Sequence, residues 1–288
     1  MDNLKGIALM AAAMAIFTLA DICIKIAGRE LPVGEIFFLF GLGGCVFFWI
    51  LLKRSGEAVF ARDFLSPVII VRNIGEVTGT FGIMTAVVLI PLSSVSAIMQ
   101  AAPLIVTLGA ALFLKEPVGW RRWTAILIGF FGVLIVIRPG SDGFVPATLF
   151  AVFGVVGQAL RDLSTRAAPR SIPSARIGFY GVFALSMMGL GLMIFRAPPV
   201  MPSQEVLPFV IVGVILGSLG YHALNLSMRL GDVAVVVPFR YSRILFGVAG
   251  GMLVFAERPD FWTYVGSAII ISTGLYSFMR ERKRRNAA

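Results

Sequence analysis

Apolar runs of membrane-spanning length follow one another along this 288-residue sequence, separated only by short charged or proline- and glycine-containing breaks. A transmembrane helix needs about 20 predominantly apolar residues. The breaks divide the chain into ten such runs, near residues 4–26, 34–52, 67–89, 91–113, 121–138, 145–165, 174–195, 206–228, 233–254 and 261–280. Little length is left for a soluble domain. Hydrophobic residues make up 58% of the chain and charged residues 14%, against roughly 45–50% and about 25% in soluble domains. The expected fold is therefore all-α and integral to the membrane, with ten transmembrane helices. The first run, preceded by Met1 to Lys5, has the look of a signal peptide. It is read as a retained span because apolar sequence continues to Ile26 and the repeat described below requires this helix.

The formal net charge is +10, but the basic residues collect at the ends of apolar runs, which fits the positive-inside rule and not a nucleic-acid-binding face. With both termini cytoplasmic, 17 of the 25 Lys and Arg fall in inner segments and only Arg29, Arg138, Arg196 and Arg258 in outer loops. The expected location is the cytoplasmic (inner) membrane with both termini inside. The basic tail, 281–288, then lies against anionic lipid. Cys23 and Cys45 sit inside apolar runs without metal-ligand spacing, and a single histidine, His222, leaves no multi-histidine metal site. No cofactor and no metal are expected.

Shifting the sequence on itself by 141 residues aligns Asp21 with Asp162, Lys25 with Arg166, Arg29 with Arg170, Pro32 with Pro173, Phe38 with Phe179, Pro67 with Pro208, Gly109 with Gly250 and Glu116 with Glu257. The chain thus reads as two five-helix repeats, 1–140 and 141–280. Because five is odd, the second repeat enters the membrane from the opposite side. Inverted-topology repeats are the architecture of secondary transporters, with the site near the midplane between the halves.

The segment from Ala86 through Pro91 to Ala97, followed by Ala102-Pro103-Leu104, Leu114-Lys115-Glu116-Pro117 and the run from Gly129 through Gly132, resembles the EamA-type signature of the drug/metabolite transporter superfamily. A looser second copy runs through Val237-Pro238, Arg240-Tyr241, Arg243 and Glu257-Arg258-Pro259. Within that superfamily the chain looks most like the YddG-type exporters of aromatic amino acids. The resemblance implies an alternating-access exporter of aromatic or large apolar amino acids. Riboflavin-like or S-adenosylmethionine-like solutes and drug efflux are the alternatives. Where many relatives carry an Arg in the second span, this chain has Glu35-Ile36-Phe37-Phe38 leading to Phe40-Gly41, so that contact does not transfer.

Polar groups present in both copies suit a scaffold. Asp21 with Lys25 and Asp162 with Arg166 read as acid-then-base pairs one helical turn apart, and Glu116 and Glu257, each near a proline at a span end, as loop-capping or interfacial groups. Polar groups present in one copy suit a site that recognises an asymmetric solute. These are Asn73, Glu76 and Gln100, opposite Val214, Gly217 and Tyr241, and Gln158, His222, Asn225 and Arg240, opposite Phe17, Phe81, Met84 and Met99. At ~1.5 Å per residue, Glu76, Arg240, Arg243, Gln158, His222 and Gln100 fall roughly 9–20 Å from the cytoplasmic ends of their spans, one layer of a ~30 Å hydrocarbon core. Charge there belongs in a wet cavity or in a pair.

Two readings of Glu76 and Arg240 stand open: they pair with each other, or they grip the ammonium and carboxylate of a zwitterion. Met99, Tyr221 and Tyr241 lie beside the layer as contacts for an aromatic solute. Pro103 and Pro238, in the equivalent fourth and ninth spans, each delete a backbone hydrogen bond and mark two hinges. With no GxSxG, no HExxH and one histidine, an enzyme is the distant alternative. The expected partners are a small-molecule substrate and membrane lipid, with the chain working as a monomer and no nucleic acid bound.

Overall fold

The computed structural model describes residues 3–113, 120–141, 143–169, 171–230 and 236–285. Their regular elements are α1 (Asn3–Ala27), α2 (Val33–Arg54), a 3-10 turn (Arg62–Leu65), α3 (Pro67–Leu89), α4 (Leu92–Met99), α5 (Ala102–Phe113), α6 (Trp120–Ile137), α7 (Thr148–Ala167), α8 (Ser174–Phe195), α9 (Leu207–Leu230), a 3-10 segment (Val237–Tyr241), α10 (Ser242–Phe255) and α11 (Phe261–Arg285). They form ten membrane spans. The fourth is α4 with α5, and the ninth contains the second 3-10 segment with α10. Pro32 and Pro173 stand at the N-caps of α2 and α8, and Pro67 lies in the first turn of α3, where a fixed φ and a missing N–H cost nothing.

The repeat is visible in the helix ends: α2 and α8 start 141 residues apart and end 141 residues apart. The packing follows the same symmetry. Helix α1 lies along α9 and α3 along α7, two interfaces that the repeat exchanges, while α2 packs on α8 and α6 on α11, each against its own counterpart. A two-fold axis in the membrane plane produces this arrangement of inverted five-helix halves. Five described stretches are long and apolar enough to cross a bilayer on their own. Helices α3 and α7 fall short because they carry the polar residues of the cavity.

Between apolar helices in lipid there is no hydrophobic drive, so close backbone packing holds the interface. Gly75, Gly79 and Gly82 of α3 meet Gly154 and Gly157 of α7. A Cβ at Gly157 would stand 2.4 Å from the Gly79 nitrogen, and one at Gly82 2.4 Å from the Gly154 nitrogen. Gly157→Leu should push α3 from α7, destabilising by about 1–3 kcal/mol or more, and the loss should read as a lower melting temperature of the detergent-purified protein. Gly157→Ala should show a smaller drop. A melting temperature unchanged by Leu would mean the contact is not tight.

The loops are pinned by ion pairs. Arg176 of α8 donates to Glu57 Oε2 at 2.6 Å and to the Ala58 carbonyl at 2.9 Å, and the Tyr180 hydroxyl donates to Asp63 Oδ1 at 3.1 Å, holding the 55–66 connection onto α8. Asp260, just before α11, pairs with Arg138 and accepts from the Thr263 N–H and hydroxyl. Burial alone would raise its carboxyl, but the Thr263 bonds and Arg138 outweigh that and hold it below the usual range.

On the face where α1 ends, Ala256 takes the left-handed conformation (φ 52°) and turns Glu257 back toward the first repeat. Glu257 accepts from the Leu92 N–H at 2.8 Å and from the Ser93 N–H and hydroxyl at 3.1 and 3.0 Å, capping α4. It also pairs with Lys25 at 3.3 Å. Lys25 thus reaches across the repeats, and Asp21 is engaged instead by Arg243 at 2.6 Å. The i,i+4 pair expected from sequence gives way to two cross-repeat pairs, because each charge finds a better-placed partner on another helix. Glu116 lies outside the described residues, as does the side chain of Arg166.

Candidate functional site: a cavity between the repeats

The fourth and ninth spans are both interrupted at midmembrane. Pro103 has no N–H, and around it the Ala101 N–H turns to the Ile98 carbonyl at 3.0 Å and the Leu104 N–H to the Ala101 carbonyl at 3.0 Å, so the ladder tightens to i→i−3 at the junction of α4 and α5. In the ninth span the 3-10 segment Val237–Tyr241, with Pro238 in its first turn, interrupts the helix and ends at Tyr241, the repeat equivalent of Gln100. Where the two breaks meet, the Gln100 side-chain amide donates to the Tyr241 carbonyl at 2.9 Å. These positions are 141 residues apart, so the bond joins repeat equivalents on the two-fold axis itself.

Beside this contact lies a cavity of about 220 Å³. Met14, Phe17, Phe40, Phe48, Met84 and Met99 contribute apolar walls. Asp21, Glu76, Thr80, Gln100, Gln158, Arg161, Tyr221, Arg240 and Arg243 contribute polar ones, and Pro103 also lines it. The charges form a chain of alternating sign. Arg72, 1% exposed, pairs with Glu76 one turn further along α3 and also donates to the Tyr221 hydroxyl at 3.3 Å. Glu76 accepts from Arg161 of α7 at 3.4 Å, Arg161 binds Asp162 at 2.8 Å, and Asp162 lies 3.8 Å from Arg240. Three cations alternate with two anions, and Arg240 sits at the loosely held end. Separately, Arg243 pairs with Asp21 and covers the Phe17 ring at 5.2 Å.

Of the residues singled out from sequence, Glu76, Met99, Gln100, Gln158, Tyr221 and Arg240 line the cavity. Glu76 and Arg240 do not touch; Arg161 and Asp162 stand between them in the chain. Asn73 is off the cavity wall and accepts from Arg72 at 3.2 Å. The Tyr241 ring turns toward Gly274 of α11, with its hydroxyl 1.8 Å from where a Gly274 Cβ would stand. His222 is exposed on the outer surface of α9, its ring 6.0 Å from that of Phe47. The side chains of Asn225 and Pro238 lie outside the described residues. Asp21, Arg72 and Arg161 were absent from the expected site; Arg243 was in the expected polar layer but not among the expected contacts. The last three face Gly213, Ala20 and Ala102 at the 141 offset, so the one-copy test selects them once residues at span edges are included.

Two inverted halves, helices broken at midmembrane and a charged cavity between them define a membrane transporter. The EamA-like transporter family model matches residues 4–138 and 145–278, and the chain belongs to this family of the drug/metabolite transporter superfamily. It is 24% identical over 289 residues to an S-adenosylmethionine uptake transporter of Rickettsia prowazekii, covering 97% of this chain and 94% of the relative. It is 26% identical over 282 residues to the pseudopaline exporter CntI of Pseudomonas aeruginosa, covering 94% and 95%. A riboflavin transporter of Rhizobium johnstonii is 28% identical over 195 residues, 68% of this chain and 64% of its own. A crystal structure matches the fold with a TM-score of 0.64 at 17% identity, covering 98% of this chain and 99% of that one. The chain is a multi-pass inner-membrane transporter of small metabolites.

Proposed function

We propose that the chain carries amino acids with aromatic or large apolar side chains, and that both termini face the cytoplasm. The observation that carries the substrate reading is the two-ended cavity: phenylalanine and methionine walls beside a layer of arginines and carboxylates. A zwitterion fits with its carboxylate at Arg240 and Arg243, one turn apart on the ninth span, its ammonium at Glu76, and Gln100 and Gln158 completing the hydrogen bonds. About 220 Å³ suits an amino acid better than the drug-sized ligands that occupy roughly 300–1,000 Å³. A relative that takes up S-adenosylmethionine, itself an amino acid, supports the same headgroup chemistry. The orientation rests on the 17 inner against four outer basic residues, and the two breaks at Pro103 and Pro238 serve as hinges of alternating access.

A counterflow screen in proteoliposomes tests the reading. L-phenylalanine and L-tryptophan should exchange, alanine should exchange poorly, and riboflavin not at all. Exchange of riboflavin without any amino acid would replace the proposal.

A further inference from the structure

Asp21 of α1 and Asp162 of α7 are repeat equivalents, yet both face arginines of the one ninth span, Arg243 at 2.6 Å and Arg240 at 3.8 Å. They differ in what else holds them. Asp162 also takes Arg161 through Nε at 2.9 Å and Nη2 at 2.8 Å, so it keeps a cation when Arg240 is drawn away. Among the described residues the cation on Asp21 is Arg243, and Asp21 lines the cavity while only 7% exposed.

Arg243 offers Asp21 one nitrogen, Nη2. The neighbouring Nε is buried with no hydrogen-bond partner among the described residues. Nε and Nη2 form one edge of the guanidinium, the edge on which a carboxylate makes two parallel hydrogen bonds. One half of a bidentate carboxylate seat is therefore unfilled, and Asp21 occupies the other half.

We propose that the solute carboxylate takes this edge from Asp21, that the displaced Asp21 accepts a proton, and that one solute and one proton cross together. The proposal rests on the reading that the solute carries a carboxylate. Once Arg243 is taken, Asp21 is a buried carboxylate beside a second carboxylate with no cation of its own, an arrangement that is unfavourable unless one of the two is protonated. The proton enters from the aqueous side to which the cavity is open and binds the Asp21 carboxylate. It leaves on the other side when the solute departs and the Asp21–Arg243 pair re-forms. Arg243 keeps its charge throughout.

Among the described residues of the elements around α1, the other charged or titratable groups are Arg240 and Tyr241 of the ninth span, Arg72 and Glu76 of α3, Tyr221 and His222 of α9, Glu257 beyond α10 and, on α1 itself, Lys5, Cys23 and Lys25. Arg72 and Glu76 pair with each other, Glu257 holds Lys25, and His222 is exposed against Phe47. Asp21 is thus the carboxylate that solute binding would strip of its cation. Because each ligand favours the other, linkage makes the coupling symport rather than exchange. An inward proton gradient then drives the solute inward, opposite to the export expected from the sequence.

The test uses the full chain in proteoliposomes with tritiated L-phenylalanine and the membrane potential clamped. Counterflow at equal pH reads the substrate alone; its absence removes the substrate reading and this inference with it. With the lumen about two units more alkaline than outside, the wild type should accumulate L-phenylalanine at least about fivefold, toward a limit of about 100-fold for one proton per solute. Asp21→Asn should lose accumulation, and its counterflow should no longer slow as pH rises. Should that variant not fold, the wild type in weakly buffered detergent should take up one proton per L-phenylalanine bound, read with a pH dye. Counterflow without accumulation or proton uptake, accumulation retained in Asp21→Asn, or concentration on the acidic side would each overturn the coupling and leave the substrate reading standing.

Discussion

Glu76→Gln should abolish transport, cutting the initial rate at least about 100-fold, and should also lower thermal stability. Glu76 lies between Arg72 and Arg161, so the amide leaves three cations of the chain against the single carboxylate of Asp162. Stranding a buried charge costs about 3–5 kcal/mol. A neutralising change at Arg240 would not relieve this, because Arg240 faces Asp162; the partner to neutralise is Arg72, which is 1% exposed. The double variant Arg72→Met with Glu76→Gln should recover most of the melting temperature while transport of L-phenylalanine stays lost, since the ammonium seat is gone. A solute lacking the amine, 3-phenylpropionate, should lose less. Transport that returns together with stability would make Glu76 part of the scaffold only.

The ten spans, the inversion and the two broken helices were legible because each leaves a mark along the chain: apolar length, a fixed offset, a proline without an N–H. The loop-capping role of Glu257 was legible for the same reason, since its proline-flanked position at a span end recurs in both copies. Partner choice was not. Lys25 reaches Glu257 and Asp21 reaches Arg243 across the repeats, and sequence spacing reveals neighbours on one helix but not which helix lies opposite. Rotation was also hidden. A helix apolar all round gives no stripe to fix which side faces inward, so His222 shares the depth of the polar layer and yet points outward.

Arg161 was concealed by its position, where a cation at a span end serves equally as a topology signal. Only the close approach of α3 and α7 through their glycines, with a Cβ at Gly75 falling 2.5 Å from the Arg161 nitrogen, brings Arg161 to Glu76.

The symmetry of the fold also separates what holds the halves from what distinguishes them. Asp21 and Asp162 are shared, but Arg240 and Arg243 occur in one copy, opposite Met99 and Ala102. The ninth span therefore supplies the one-copy cations for a solute carboxylate, and Glu76 of α3, opposite Gly217, the one-copy anion for its other end.

Glu257→Gln should open the face on which α1 ends. In the structure its carboxylate gathers the Leu92 N–H, both donors of Ser93 and Lys25, fastening the second repeat to the start of the broken fourth span and to α1. Ile24, next to Lys25, already lines the cavity, so this fastening lies immediately beyond the cavity on that face. A neutral amide keeps the shape but leaves Lys25 without its counter-charge and weakens the cap, a loss of about 2–4 kcal/mol from the closed arrangement. The measurement is thiol accessibility: with Cys23 and Cys45 replaced by Ala, a cysteine introduced by Ile24→Cys should react with a membrane-impermeant maleimide from that face at least about tenfold faster in Glu257→Gln than in its parent, since 1.4 kcal/mol already shifts an equilibrium tenfold. Adding Lys25→Met removes the stranded charge and should restore part of the protection. Equal labelling with and without Glu257→Gln would mean that the cap and the pair stabilise the helix ends without closing the path.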